Sequence, residues 1–382
     1  MNWPAAAVLS LALAANALAT GPSNNDCKSC HEQEATNFKS SVHATQACTD
    51  CHTTIRGYPH QLNIARVDCS GCHADSVAAL KSSVHANTGP DTCKTCHGGA
   101  HRMLAKSNPE SPVFATNLPR TCGVCHGDTK QPKNAAPRVY AMYIDSIHGS
   151  ALMKNGLLVS ANCSSCHGSH KILSGKDPHS RTAHANIPAT CGECHAGSER
   201  AYFAGIHGQN LKAGNSAAPV CTDCHTAHQI STQTASFLSK TTATCGGCHR
   251  HSEETYHDTF HSHVSGLGYV VTAHCWDCHR EHETLPASDP RSAVAPANLI
   301  ATCGRCHPGA NAGFVSYAPH ADKRDRKAFP ILSYSGMFMN MLLAGTLGFF
   351  ALHSLLWFIR LEFETRQRRV VKPASKPLKG TI

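Results

Sequence analysis

A five-residue motif, Cys-x-x-Cys-His, recurs eleven times in this chain and uses all 22 of its cysteines. Two thiols at this spacing can each form a thioether with a haem vinyl group, and the adjacent histidine then becomes an axial iron ligand. A zinc ribbon or disulfides would also explain Cys-x-x-Cys, but neither requires a histidine after every second cysteine. The motif therefore predicts eleven covalently attached haem c groups. They would be held by Cys27, Cys30 and His31; Cys48, Cys51 and His52; Cys69, Cys72 and His73; Cys93, Cys96 and His97; Cys122, Cys125 and His126; Cys163, Cys166 and His167; Cys191, Cys194 and His195; Cys221, Cys224 and His225; Cys245, Cys248 and His249; Cys275, Cys278 and His279; and Cys303, Cys306 and His307.

The spacing of the motifs limits the kind of fold that the chain can adopt. The motifs leave about 26 residues for each haem, too few for a hydrophobic core of their own, and only 6% of the chain is aromatic. The apolar faces of the haems would then form most of the interior, so folding should depend on haem attachment. We expect a mainly α fold with extensive coil, in which short motif-bearing helices are organised around the covalently bound haems.

Both ends of the chain carry apolar segments with separate predicted roles. The run from Ala5 to Leu18, with a small-x-small site ending at Ala19, is typical of a secretion signal, although no Lys or Arg precedes it. The stretch from Ser335 to Ile359 would be about 37 Å long as a helix, enough to span a bilayer. These features predict a signal peptide at 1–19, a periplasmic haem domain at 20–327, a transmembrane anchor at 328–361 and a basic cytoplasmic tail at 362–382.

The charge distribution supports this orientation and argues against nucleic-acid binding. Of the formal net charge of +9, the segment from Arg360 onward holds seven basic and two acidic residues, or +5. Positive flanks stay on the cytoplasmic side, which places the haem domain in the periplasm, attached to the inner membrane. Haem propionates would outweigh the remaining positive charge and make the haem-loaded domain net negative, so the basic pI does not indicate a nucleic-acid partner.

Internal repeats divide the motifs into two alternating classes. The phrase Asn-x-x-x-Thr-Cys-Gly precedes motifs five, seven and eleven, starting at Asn117, Asn186 and Asn298, and a turn with Pro-x-Ser lies upstream of each. Odd-numbered motifs thus open a unit and even-numbered motifs close it. The sequence predicts five haem pairs and one unpaired haem.

A second set of histidines follows the same alternation. Twelve residues after most odd-motif histidines comes another histidine, with a longer insertion before His148 and thirteen residues before His320. After even motifs a histidine follows three or four residues later, or eight in the case of His60. Their recurrence in register predicts one distal iron ligand per haem. The predicted ligands are His43, His60, His85, His101, His148, His170, His207, His228, His261, His282 and His320.

Reach decides which haem each of these histidines can serve. If a histidine three residues after the motif histidine shared its helix, the two β-carbons would lie about 5–6 Å apart, so it could not reach the opposite face of the same haem. We therefore expect such histidines to ligate a neighbouring haem. We interpret six other histidines as bystanders, although two of them, His257 and His263, remain rivals to His261; the six are His179, His184, His251, His257, His263 and His274.

Three functions are candidates for this ligand set. Iron with a histidine on both faces has no open site for a substrate, which favours an electron carrier with low redox potentials. The first alternative is a multihaem reductase of nitrogen or sulfur oxyanions, in which one distal histidine is displaced to open an iron. The second is a structural or filament-forming cytochrome, against which the C-terminal anchor argues. The haem of Cys303 and His307 lies closest in sequence to the anchor, so we interpret it as the membrane-side port.

The repeats and the C-terminal region resemble the multihaem cytochrome c subunit of bacterial inner-membrane bc-type (mena)quinol oxidoreductases. The resemblance rests on the Asp-Pro-x-Ser and Asn-x-x-x-Thr-Cys-Gly-x-Cys-His phrases, on the ending from His307 to Asn311, and on the following helix with His353, Trp357 and Arg360. It covers most of residues 107–362, whereas the first four haem sites match at the motif level only. It implies a quinol-oxidising cytochrome b partner in the membrane, periplasmic redox proteins as acceptors, and a role in anaerobic respiration.

His353 is the one ionisable residue within the apolar stretch from Ser335 to Ile359 of the predicted anchor. An ionisable side chain inside a membrane is a candidate for a functional contact with a haem, a quinone or a partner helix. The alternative is a hydrogen bond that only packs two helices together.

Overall fold

The computed structural model describes residues 22–89, 91–127, 139–232 and 235–370. The predicted signal peptide and the last residues of the predicted tail lie outside the described residues. Within them the chain is mainly helical, with long stretches of coil and no strand, which confirms the expected α class. The α-helices are α1 Asn24–Lys28, α2 Glu32–Phe38, α3 Cys48–Cys51, α4 Ala74–Lys81, α5 Thr92–His97, α6 Leu118–His126, α7 Val139–Ile144, α8 Ile147–Met153, α9 Cys163–His167, α10 Ile187–Gly192, α11 Ala196–Ala204, α12 Ile206–Lys212, α13 Cys221–His225, α14 Ala235–Gly246, α15 Arg250–His257, α16 Phe260–Gly266, α17 Cys275–His279, α18 Leu299–Gly304 and α19 Pro330–Val370.

The chain forms two compact units, which are described separately. Unit 1 comprises Met1–Thr244 and Cys275–Pro296 and holds motifs one to eight and ten. Unit 2 comprises Cys245–His274 and Ala297–Ile382 and holds motifs nine and eleven and the C-terminal helix.

The buried protein core is small. Among the described residues, large apolar side chains that are almost fully buried are few, such as Leu152 and Val220, and the serines Ser111 and Ser146 are buried just as deeply. A chain of this size normally buries many more large apolar side chains. The protein side chains alone therefore supply little of the interior.

Four of the six odd motifs are followed by a second helix that begins at the motif histidine. His31, His73, His195 and His249 are the N-cap residues of α2, α4, α11 and α15. Each of these helices contains seven to nine residues, which carries the chain to the histidine twelve residues after the motif.

Four of the five even motifs end differently, because the residue after the motif histidine adopts a left-handed backbone conformation; the second motif, ending at His52, does not share this feature. The φ of the left-handed residue is +83° at Gly98, +79° at Gly168, +63° at Thr226 and +62° at Arg280. A left-handed residue at this position ends a helix and redirects the chain. The histidine that follows therefore does not lie on the motif helix, and our assumption that the two share one helix is wrong.

The repeated phrase upstream of the odd motifs folds into a hydrogen-bonded linker. Asn117 Nδ2 donates to the carbonyls of Pro109 and Ser111 at 2.7 and 2.9 Å. Asn186 makes the same pair of bonds to Pro178 and Ser180, both at 2.8 Å. The asparagine thus closes the turn that contains proline and serine, which explains why these residues recur together.

The insertion before motif six contains two short helices rather than one long helix. The sequence suggests that the longest soluble helix runs from about Arg138 to Lys154, but the described chain, which omits Arg138, has α7 and α8 there, and α14 is longer with 12 residues. The break lies at Ser146, which has an extended backbone and whose Oγ accepts a hydrogen bond from Gly149 N. A serine N-cap of this kind starts a new helix.

The C-terminal helix is the longest element. Helix α19 has 41 residues and contains a window of mean hydropathy 1.8 whose side chains are not buried in the protein. At about 1.5 Å per residue it is longer than the ~30 Å hydrocarbon core of a bilayer. By length and composition it is compatible with a single membrane anchor.

Candidate haem-binding site

The structure places nine of the predicted distal histidines beside a motif histidine. In each pair the ring centroids are 5.9 to 6.2 Å apart, while the angle between the ring planes varies from 7° to 71°. The nine pairs thus share one spacing but not one ring orientation. The pairs are His31–His60, His43–His73, His52–His101, His85–His126, His97–His170, His148–His195, His167–His228, His225–His282 and His261–His307.

This separation fits one metal ion between two imidazoles. A histidine nitrogen lies about 2.0 Å from a bound transition metal, and the ring centre is about 1.1 Å further out, so opposed rings are about 6 Å apart. Among the described residues, no group of three or more His, Cys, Asp or Glu side chains could hold a metal ion by itself. A haem needs only two axial ligands from the protein, because the porphyrin supplies four nitrogens. The residues present therefore fit haem.

The electrostatic state of the rings suits ligation. Burial lowers the pKa of His97, His167 and His225, and the neighbouring ring of each pair lowers it further. A lowered pKa keeps the imidazole neutral near pH 7, which is the form that binds a metal.

Each pair joins residues from different motif units, with one exception at the N-terminal end. His43, His85 and His148, here called forward histidines together with His207 and His261, lie after odd motifs, and each of the three meets the next odd-motif histidine. His101, His170, His228 and His282, here called backward histidines, lie after even motifs and meet the preceding even-motif histidine. Successive pairs of motifs thus exchange histidines in both directions. That the exchanged histidines ligate a neighbouring haem stays a prediction.

A recurring backbone hydrogen bond, here called the clasp, connects the two exchanging segments. In each clasp the residue before a forward histidine donates its N–H to the carbonyl two residues after a backward histidine. Since both partners are backbone groups, the clasp leaves no signal in the residue types. The four clasps are Val42 to Met103 and Val84 to Ile172, both 2.8 Å, and Ile147 to Ile230 and Ile206 to Thr284, both 2.7 Å.

Side chains reinforce the first two clasps. Ser41 and Ser83 are buried, and their Oγ atoms donate to Met103 O at 3.3 Å and to Ile172 O at 3.0 Å. Each Oγ also accepts a hydrogen bond from the backbone N–H of the forward histidine, at 3.2 Å for His43 and 3.1 Å for His85. In the Ser-Val-His phrase, the serine therefore fixes the backbone position of the forward histidine.

Motif cysteines of one pair lie against each other. A hydrogen bond with Cys163 raises the pKa of the Cys122 thiol, and Cys221 does the same to Cys191. Burial raises the pKa of Cys27 and Cys69, and the next motif raises it further through Cys48 and Cys93, respectively. In motifs one to eight, the first cysteine of each odd motif thus adjoins the first cysteine of the following even motif.

Other cysteines bring one pair of motifs close to the next pair. Burial raises the pKa of Cys96 and Cys166, and thiols of the next odd motif raise it further. Burial also raises the pKa of Cys51, to which Asp50 and then Cys72 of motif three add. The cysteines of motifs one to eight therefore follow one another in space in the order of the sequence.

In unit 2 the forward histidine is His261, whose ring lies 6.0 Å from that of His307. Its two rivals are directed elsewhere: His257 Nδ1 lies 3.0 Å from Ser262 Oγ, and His263 Nδ1 lies 2.7 Å from Thr259 O. Phe314 lies against the His307 ring with a centroid separation of 4.9 Å.

The segment between motif eleven and α19 is fastened to α15. His320 Nδ1 lies 3.0 Å from Oγ1 of the buried Thr255. Two ion pairs follow, Lys323 with Asp258 at 2.9 Å and Arg324 with Glu254 at 2.7 Å. The chain therefore enters α19 from a fixed position on unit 2.

The remaining predicted ligands and bystanders are placed as follows. His207 and His320 stay predicted distal ligands, and His249 and His279 stay predicted motif ligands. Two further predicted bystanders also contact oxygen atoms: His184 Nε2 lies 3.3 Å from Asp223 Oδ2, and His274 Nε2 lies 3.3 Å from Ser265 Oγ. His353, in α19, stacks on Phe349 with a centroid separation of 6.4 Å.

Comparison of this chain with protein-family models, with curated proteins and with solved structures found no match.

Proposed function

We propose that this chain is a membrane-anchored c-type cytochrome that conducts electrons through eleven bis-histidine haems. Its donor would be a quinol-oxidising cytochrome b subunit in the inner membrane, and its acceptors would be periplasmic redox proteins in anaerobic respiration. The observation that carries the proposal is the set of nine histidine pairs with one common separation.

The chain's own residues have three roles in this proposal. The motif cysteines would fix each cofactor covalently, and the motif histidine and the histidine opposed to it would hold its iron. Haem c, when attached, supplies a reversible one-electron couple at each site. With histidine as both protein ligands, the sites would have low potentials and would leave no coordination position for a substrate at rest.

The order of the attachment sites supports conduction rather than separate storage sites. Cysteines of successive motifs adjoin one another from Cys27 to Cys221. The clasps hold segments of successive motif pairs together by backbone hydrogen bonds. A row of redox sites at short, fixed distances is the arrangement that conduction requires.

The proposed location rests on α19 and on the charge that follows its apolar part. The helix is long and apolar enough to span a membrane. Arg360 and Arg366 lie beyond the apolar stretch, paired with Glu364 and Glu362 at 2.8 and 3.1 Å. An excess of positive residues on this side favours a cytoplasmic C-terminus and a periplasmic haem domain.

The test is quinol-driven reduction of the full chain purified in mild detergent from its native membrane. We expect a b-type haem subunit to copurify and a menaquinol analogue to reduce the c-type haems. Cys303→Ala with Cys306→Ala should abolish quinol-driven reduction while dithionite still reduces the other haems, since these cysteines hold the haem next to the anchor. The matched control, Cys27→Ala with Cys30→Ala, should retain it. Purification without a b-type subunit, with no reduction by quinol, would contradict the proposed donor.

A further inference from the structure

The distal ligand of the first motif differs from the others in the segment that carries it. His60 lies in the stretch 53–68, which contains no helix, and nearly all of its residues are exposed. Its ring nevertheless lies 5.9 Å from His31, in the same range as the other pairs. Among the nine pairs it is also the one exception to histidine exchange, because His60 follows the second motif and meets His31 of the first, so both belong to the first pair of motifs.

Forward and backward histidines of unit 1 are held by contacts between segments. Each clasp ties the residue before a forward histidine to the residue two positions after a backward histidine; the forward histidines are His43, His85, His148 and His207. For His43 and His85, a buried serine adds two further hydrogen bonds. Moving one of these rings away from its partner would break bonds to another segment.

His60 has no comparable support among the described residues. Its Nδ1 lies 2.9 Å from the carbonyl of its own neighbour Gln61. The segment is attached elsewhere by Tyr58, whose hydroxyl donates to Asp26 Oδ1 at 3.3 Å, and Tyr58 itself is 69% exposed. Ordering a loop of this length costs conformational entropy, and one long exposed hydrogen bond offsets little of it. The loop can therefore carry His60 away from His31 without breaking the clasps of unit 1.

From these contacts we infer that His60 is a displaceable ligand, and that the haem of Cys27, Cys30 and His31 accepts a small neutral diatomic ligand when reduced. The inference rests on the proposed haem attachment. It adds a binding site at the end of the row of haems that is farthest in sequence from the anchor. At rest His60 closes this site, so the site is compatible with conduction.

Carbon monoxide is the probe, used with the reduced, detergent-solubilised full chain. We expect one CO to bind per eleven haems, and the oxidised protein to be entirely low-spin. His60→Gly should make one oxidised haem high-spin and keep the stoichiometry at one. Its apparent CO affinity should rise about tenfold, because the site no longer has to open before CO binds. The matched control His179→Gly, at an exposed predicted bystander, should behave as the wild type.

A second variant tests the loop without removing the ligand. Gly57 has open space around its missing side chain, so Gly57→Ala fits and should slow CO binding by reducing the freedom of the loop. The inference is overturned if the wild type binds no CO, if His60→Gly binds two CO, or if Gly57→Ala leaves the CO binding rate unchanged. Each of these results leaves the proposed function standing, whereas a protein that carries fewer than eleven haems refutes the proposed function itself.

Discussion

Arg280 and Thr226 occupy a backbone conformation that L-residues rarely adopt. Their φ values are +62° and +63°, and Gly98 and Gly168 stand at the equivalent positions of earlier motifs. Glycine adopts this conformation without the steric cost that a β-carbon brings. The turn directs the backward histidine away from its own motif. At Thr226 and Arg280 this conformation therefore has some cost in stability.

Replacing Arg280 with glycine should therefore stabilise the protein. We expect Arg280→Gly to raise the free energy of unfolding by about 1 kcal/mol, slightly reduced by the loss of the exposed ion pair with Glu283. The control Arg200→Gly, at an exposed position inside α11, should lower it by about 1 kcal/mol. Denaturant titration of the haem-loaded protein measures both changes. Destabilisation by Arg280→Gly would show that the left-handed conformation is not under strain.

A single ligand exchange tests whether the paired rings share one iron. His101 lies opposite His52, so His101→Met should replace one axial imidazole by a thioether at the second motif. Because methionine raises the potential of a haem, one haem should shift upward by on the order of 100 mV. Potentiometric titration followed by optical spectra would detect this shift. His179→Met is the control and should change no haem, and an unchanged titration of His101→Met would refute the pairing.

At the scale of elements, the clasp brings the backbones of two segments of unit 1 close together. In the fourth clasp Gly205 precedes Ile206, and a β-carbon there would lie 2.8 Å from His282 O and 2.9 Å from Thr284 N. Both are backbone atoms that cannot move independently of the clasp. The close approach explains why glycine stands where Ser41 and Ser83 stand in the first two clasps.

Gly205→Ala should consequently open the fourth clasp. We expect a loss of about 1–3 kcal/mol in stability, as for other overpacked sites. Gly197→Ala is the matched control, since nothing lies within 4 Å of its added β-carbon and the residue is helical, so it should gain about 0.5–1 kcal/mol. Thermal unfolding of the two variants gives the comparison, and equal melting temperatures would argue against a tight clasp.

The sequence predicted the elements better than it predicted their connections. Helical motifs, the odd–even alternation and the long apolar helix follow from local spacing, which is why they could be predicted from residue types. Which ring meets which motif depends on left-handed turns at Thr226 and Arg280, residues that carry no turn signal of their own. The clasps involve backbone groups 61 to 88 residues apart in the first two cases, Val42 with Met103 and Val84 with Ile172, so no side-chain pattern marks them.

At the scale of the whole molecule, specific contacts join the start of α19 to the rest of unit 2. The ion pairs of Lys323 and Arg324 hold the segment before α19 at α15 and its C-cap Asp258, and Ser333 Oγ donates to Lys323 O at 2.6 Å. If α19 is the membrane anchor, these contacts would join it to the proposed haem domain.

Removing residues 328–382 should release the haem domain from the membrane without unfolding it. The ion pairs of Lys323 and Arg324 remain in this variant, so we expect a soluble protein that dithionite reduces fully and a quinol does not reduce. Fractionation of cells followed by haem staining measures the release. Haem-stained protein that stays in the membrane fraction would mean that another segment holds the chain there.

The central claim is that eleven covalent haems, each between two histidines, form the interior of this protein. Intact-mass spectrometry of the native full-length product tests it most directly. The account predicts one species, the chain beginning at Thr20 plus the mass of eleven haem c groups, with no thiol left for alkylation. A species with fewer haems and free or disulfide-bonded cysteines would contradict it.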